Sequence, residues 1–121
     1  MAKRVLICDD DTDILAICTY ILEKQGFEVT TSTHCNNILN IVKEAQPNVI
    51  LMDNWIPDAG GIVASQTIKG EAEFKKIPIV YFSANNDIKA LAEKAGADAF
   101  LAKPFDLEDL EKIIKQIIPN T

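Results

Sequence analysis

The sequence predicts an α/β fold: a doubly wound, five-stranded parallel sheet with helices on both faces. Short apolar runs and helical periods alternate five times along the chain, and no linker, repeat or low-complexity segment separates them. The best-defined runs are continuous rather than alternating, as expected of strands covered on both faces. Arg4-Val5-Leu6-Ile7-Cys8 is the first, stopped by Asp9. Ile14, Leu15, Cys18, Ile21 and Leu22 then share one face of a helix that Gly26 ends. The weaker run Phe27 to Thr31 alternates and suits an edge strand. Ile38, Leu39, Val42 and Ala45 mark a second helix, ended before Pro47. Val49-Ile50-Leu51-Met52 is stopped by Asp53, and a helix from about Gly61 to Lys69 follows. Ile79-Val80-Tyr81-Phe82 ends at Ser83, and a short helix from Asp87 to Ala95 is closed by Gly96. Ala99-Phe100-Leu101-Ala102 ends at Lys103. Asp106 then caps a last helix with Leu107, Leu110, Ile113, Ile114, Ile117 and Ile118 on one face and Pro119 just past its end. Right-handed crossovers leave few orders for such a sheet, and the flavodoxin-like order 2-1-3-4-5 is the one expected.

Composition narrows the function. The 121 residues carry 12 Lys and Arg against 18 Asp and Glu, a net charge of −6, with no basic cluster beyond pairs such as Lys75-Lys76. Direct nucleic-acid binding needs a basic face and is disfavoured. No apolar stretch approaches the roughly 18 residues of a membrane helix, so a cytoplasmic protein without a membrane partner is expected. Cys8, Cys18 and Cys35 are odd in number and lack C-x-x-C spacing, which favours buried free thiols over a disulfide or zinc framework. His34 beside Cys35 has no further His or Cys near in sequence and reads as a loop residue rather than a ligand.

The chemistry gathers where the strands end. Ligands of open parallel sheets sit at the carboxyl ends of the strands, where the strand order reverses. Here the first strand ends in Asp9-Asp10-Asp11, the third in Asp53, the fourth in Ser83 and the fifth in Lys103. Carboxylates so close stay ionised together only when a cation or strong donors compensate. Mg²⁺ suits the set, because it takes a few carboxylates, keeps waters and leaves room for a phosphoryl oxygen. Lys103 would add positive charge, Ser83 a hydroxyl donor and Asp53 a nucleophilic oxygen: a phosphoryl-transfer site in outline. Asp11 and Asp13 read as capping and surface charge.

Val5 to Asp11, Val49 to Asp53 with Pro57 following, Gly61, Ser83-Ala84, Gly96-Ala97-Asp98 and Phe100 to Phe105 come in that order over essentially the whole chain. Together they resemble the response regulator receiver domains of two-component signalling. The resemblance implies that Asp53 accepts a phosphoryl group from a histidine kinase or histidine phosphotransfer protein. It also implies that Asp10 and Asp53 ligate Mg²⁺, that Asp9 holds it through water, and that Trp55 offers its backbone carbonyl. Ser83 and Lys103 would bind the phosphoryl oxygens, with a cis bond between Lys103 and Pro104. Ser83 and Phe100 would move together and switch a partner-binding face of the fourth helix, fifth strand and fifth helix, toward a downstream protein the sequence does not name. Such a protein is a phosphoacceptor that assists its own phosphotransfer and dephosphorylation rather than an enzyme. It would be one domain over residues 1–121 with no output domain, monomeric or dimerising on phosphorylation. Three departures stand out: Trp55 is bulky for its place, Gly96 follows Ser83 more tightly than in the family's chemotaxis regulators, and Phe100 lacks the hydroxyl of the frequent Tyr.

Other readings are weaker. A receiver fold that signals without phosphorylation has no need of Asp9, Asp10, Asp53, Ser83 and Lys103 together. A haloacid-dehalogenase-type aspartyl phosphatase is a distant alternative, since Asp13 stands where its motif has Thr or Val and the chain has no length for a cap domain. A calcium loop counted from Asp9 would put Ile14 and Tyr20 where Gly and Glu are required. A flavin would need an amide- and hydroxyl-rich first loop in place of an acidic one.

Overall fold

The structure, a computed structural model, describes residues 3–54, 60–84, 86–103 and 105–118. Strands β1 (Arg4–Cys8), β2 (Glu28–Ser32), β3 (Val49–Asp53), β4 (Ile79–Ser83) and β5 (Ala99–Ala102) alternate with helices α1 (Thr12–Lys24), α2 (Ile38–Ala45), α3 (Gly60–Lys69), α4 (Ile88–Ala95) and α5 (Leu107–Ile117). All neighbouring strands are parallel, in the order β2-β1-β3-β4-β5.

The central strands are apolar up to their carboxyl ends because both their faces are covered. Leu6, Cys8, Ile50, Met52, Ile79 and Tyr81 pack with residues of α2, α3 and α4, whereas Val5, Ile7, Val49, Leu51, Val80 and Phe82 pack with residues of α1 and α5. Successive strand side chains point to opposite faces, so each run feeds both cores at once. At the edges the pattern relaxes. β2 is half open, as its alternation implies, and β5 alternates between half-buried and exposed positions, with Phe100 41% exposed.

Two strands run one residue further than their apolar runs: Asp53 and Ser83 are themselves the last residues of β3 and β4, and β2 is shifted one residue from its predicted span. Asp11 caps α1, its carboxylate accepting from the backbone N–H of Asp13 at 3.0 Å and of Ile14 at 3.4 Å. Asp106 does the same for α5 through Asp109 N–H at 2.9 Å. At α2 the stop is backbone geometry: Gln46 takes φ 47°, and Pro47 follows. The tight spacing from Ser83 to Gly96 yields an α4 of only 8 residues.

Candidate functional site

Parallel strands deliver their carboxyl ends to one edge of the sheet, and β1 and β3 lie side by side there because the strand order reverses between them. Asp9 leaves the end of β1 and Asp53 closes β3, both buried at 1% and 3% exposure, while Asp10 is exposed. One carboxylate oxygen from each of Asp9, Asp10 and Asp53 lies within 4.8 Å of the other two. Among the described residues no other group of three His, Cys, Asp or Glu side chains comes together in this way. The Asp9-Asp10-Asp11 run thus divides its work. The first two side chains face the site and the third caps the helix.

Lys103 arrives from the end of β5, where its backbone N–H donates to Ser83 C=O at 2.9 Å and continues the β4–β5 pairing. Its ammonium donates to Asp9 Oδ2 at 3.0 Å and to Asp53 Oδ1 at 2.9 Å, and lies 4.7 Å from the centre of the Phe82 ring. A single cation therefore bridges two buried carboxylates. Burial pushes the Asp9 carboxyl above its ordinary pKa; the Asp11 N–H that donates to its Oδ1 at 2.9 Å and the Lys103 ammonium pull it back, and the nearby Asp53 charge pushes it up again. For Lys103, burial alone would weaken the charged form, but the bonds and charges of Asp53 and Asp9 outweigh it and raise its pKa.

Asn54, the residue that follows Asp53, is held by its neighbours. Asn54 N–H donates to Phe82 C=O at 3.2 Å, and Asn54 C=O accepts from Gly61 N–H at 3.2 Å. The Tyr81 hydroxyl, at the buried end of an otherwise apolar side chain, donates to Asn54 Oδ1. Gly61 is required to be glycine by contact, not by φ: a Cβ there would sit 2.1 Å from the Asp53 carbonyl oxygen.

The structure brings Asp9, Asp10, Asp53 and Lys103 together, with Ser83 buried on the same edge, paired to Ala102. Phe100 stands apart from the carboxylates, opposite Tyr81 and open to solvent on the outer strand. Trp55, Pro57 and the cis bond expected at Pro104 lie outside the described residues. His34 is exposed in the loop after β2, its backbone exchanging hydrogen bonds with Ser32 Oγ, and the three cysteines are buried and form no disulfide. Sequence reasoning passed over Asn54 and Tyr81. The one available signal was a phenol placed inside an apolar strand, which must find a partner when buried.

This fold and this cluster of strand-end carboxylates with one lysine define a receiver-type signalling module. Residues 5–115 match the response regulator receiver domain family, and the chain belongs to it. It is 32% identical over 111 residues to the CAI-1 autoinducer sensor kinase/phosphatase CqsS of Vibrio cholerae, covering 89% of this chain and 16% of that protein. It is 29% identical over 122 residues to the phosphate regulon transcriptional regulatory protein PhoB of Escherichia coli, covering 98% of this chain and 52% of that protein. The chain thus spans a small part of the first relative and about half of the second. Its fold is shared by the receiver domain of the sensor histidine kinase PA1611 of Pseudomonas aeruginosa, a structure with a magnesium ion coordinated in its active site cleft. There the TM-score is 0.89 and the identity 23%, with 98% of each chain covered. Receiver domains of this family are signalling modules of two-component systems, working between histidine kinases and downstream effectors. No described helix of this chain is long and apolar enough to cross a membrane.

Proposed function

We propose that this chain is a phosphoacceptor receiver in which Asp53 takes a phosphoryl group, in a Mg²⁺-dependent reaction, from a histidine kinase or histidine phosphotransfer protein. The observation that carries the reading is the single ammonium of Lys103 shared by Asp9 and Asp53 at 3.0 and 2.9 Å, beside a third carboxylate. One lysine leaves this set short of positive charge, which a dication and an incoming phosphoryl group together rebalance.

The residues fit Mg²⁺. The ion holds oxygens at about 2.0–2.1 Å, so ligands on opposite sides of it are about 4.2 Å apart. Three carboxylate oxygens within 4.8 Å of one another need only small side-chain movements to share it. Asp10 and Asp53 would hold it directly and Asp9 through water, with the Trp55 carbonyl as a further ligand. Bound there, Mg²⁺ supplies positive charge to the oxygens of the transferring group.

Asp53 is the nucleophile. One of its carboxylate oxygens attacks phosphorus, the P–N bond to the donor imidazole breaks, and its electron pair leaves with the nitrogen, so that an acyl phosphate remains on Asp53. Lys103 then has a phosphoryl oxygen to engage in addition to Asp9, and the Ser83 hydroxyl donates to another. The modification adds about −1.5 to −2 of charge, enough to draw these donors into new charge-assisted bonds. In this reading Phe100, exposed on β5, reports the shift at Ser83 to a partner protein on the face of α4, β5 and α5.

The test is intact-protein mass after incubation with acetyl phosphate, with and without Mg²⁺, beside Asp53→Asn. One Mg²⁺-dependent phosphoryl adduct, missing from the variant, is expected. No adduct on folded protein, with the donor active on a control, would instead leave a receiver fold that signals without phosphorylation.

A further inference from the structure

The side-chain contacts of Asn54 tie the residue next to the acceptor carboxylate to a buried phenol that the proposed reaction does not otherwise use. Asn54 is held from three sides: its N–H by Phe82 C=O, its C=O by Gly61 N–H, and its Oδ1 by the Tyr81 hydroxyl. The first two bonds are backbone bonds and would form with any side chain at position 54. The third needs both Asn54 and Tyr81. Tyr81 itself is firmly placed. It lies within β4, fully buried, paired in register with Met52 on one side and Phe100 on the other. On its face of the sheet the other core side chains of β3 and β4, Ile50, Met52 and Ile79, are apolar, and the one further buried polar group is Ser83 at the end of β4, on the site edge. A Phe would fill the same space without the desolvation cost of a hydroxyl. The hydroxyl therefore has a partner to serve, and that partner is covalently next to Asp53.

We propose that Tyr81 is a positioning residue for phosphoryl acceptance: its hydroxyl locks the Asn54 side chain to β4 and so fixes the backbone that aims the Asp53 carboxylate. The inference rests on the phosphoacceptor reading above. The hydroxyl is well suited to a fixed donor role. Burial, and to a lesser extent the Asp53 charge, push its pKa up to about 12, so it keeps its proton at any working pH. The contact at Gly61 shows how little slack the segment has, since a single added methyl there would collide with the Asp53 carbonyl oxygen at 2.1 Å.

The test compares wild type, Tyr81→Phe, Asn54→Ala and the double variant in acetyl phosphate labelling with saturating Mg²⁺, following the initial rate against donor concentration. Tyr81→Phe should lower the maximal rate about fivefold, the factor one ordinary hydrogen bond corresponds to, with the half-saturating donor concentration unchanged. The double variant should be no slower than Asn54→Ala alone, because both changes remove the same bond. Circular dichroism on the same samples checks that all four are folded. If Tyr81→Phe labels at the wild-type rate, or if the two losses simply multiply, the positioning role is refuted while the phosphoacceptor reading stands. If wild type itself shows no Asp53-dependent adduct, both are refuted.

Discussion

Replacing Lys103 with Met keeps most of the aliphatic stem and removes the ammonium that lies over the Phe82 ring and bonds both Asp9 and Asp53. Two carboxylates with 1% and 4% side-chain exposure then lose the ammonium they share. Breaking a buried pair from one side costs about 3–5 kcal/mol. A ceiling follows from protonation, because the pair can relieve its repulsion by taking up one proton. Doing so at pH 7, about three units above the ordinary Asp pKa, costs about 4 kcal/mol. Since Lys103 keeps 17% exposure and water reaches it, the lower part of the range is expected, about 3 kcal/mol at pH 7. For a domain of this size that is a fall in Tm of about 10 °C. The sign of the pH dependence follows from the same physics. Without Lys103 the Asp9 carboxyl, already raised by burial, loses the bond and charge that pull it back, so the native variant binds a proton that the unfolded chain does not, and its stability drops as pH rises through that range. The deficit against wild type should therefore hold down to about pH 6, where the cost of protonation falls to about 3 kcal/mol, and shrink below that by about 1.4 kcal/mol per pH unit. Thermal melts of both proteins at pH 5, 6 and 7, in buffer with a chelator, measure it. Millimolar Mg²⁺ should narrow the gap at pH 7, since the dication restores positive charge beside the two carboxylates. A deficit that is equal at pH 5 and pH 7 and indifferent to Mg²⁺ would show that Lys103 acts through packing alone and would refute the electrostatic account.

Gly61→Ala puts a carbon 2.1 Å from the Asp53 carbonyl oxygen, so either the start of α3 or the end of β3 must move. A loss of about 1–3 kcal/mol in urea unfolding is expected, together with slower labelling of Asp53; wild-type behaviour in both would mean that the segment is far less constrained than its geometry shows. Cys18, buried at 1% exposure with its thiol pushed up to about 11 by burial and then by the Asp9 charge, should resist a thiol-disulfide reagent at pH 8 until the protein unfolds. Its native thiol keeps its proton where the unfolded one, at 9.0, does not, so stability fully present below pH 9 is lost as pH rises toward 11. Cys18→Ala should flatten that alkaline slope in urea midpoints measured from pH 8 to 10.5, and an unchanged slope would assign it to other groups.

The elements were written in the chain because each is a local pattern. A run such as Val49 to Met52 can be buried on two faces only as an inner strand, and the spacing of Leu110 and Ile114 can bury one stripe only as a helix. Asp11 as a cap is equally local, since its acceptor meets donors two and three residues away. The strand ends also placed Asp9, Asp53, Ser83 and Lys103 on one edge once the strands were taken as parallel. What the sequence left open depends on contacts between distant residues. Lys103 meets Asp53 across 50 positions and Asp9 across 94, and no periodicity carries the distance or the sharing of one ammonium. Nor could three consecutive aspartates be sorted by burial: the turn out of β1 buries Asp9, exposes Asp10 and turns Asp11 to the helix. The clamp on Asn54 lay further still from view. Tyr81 reads as one more apolar strand residue until the register of β3 and β4 sets its hydroxyl beside Asn54, and Gly61 reads as a helix start until packing brings it against the Asp53 carbonyl. Local pattern fixes what each segment becomes, because burial and backbone hydrogen bonding act over a few residues. The reach between side chains is set by strand order and register, and these exist only when the sheet is assembled.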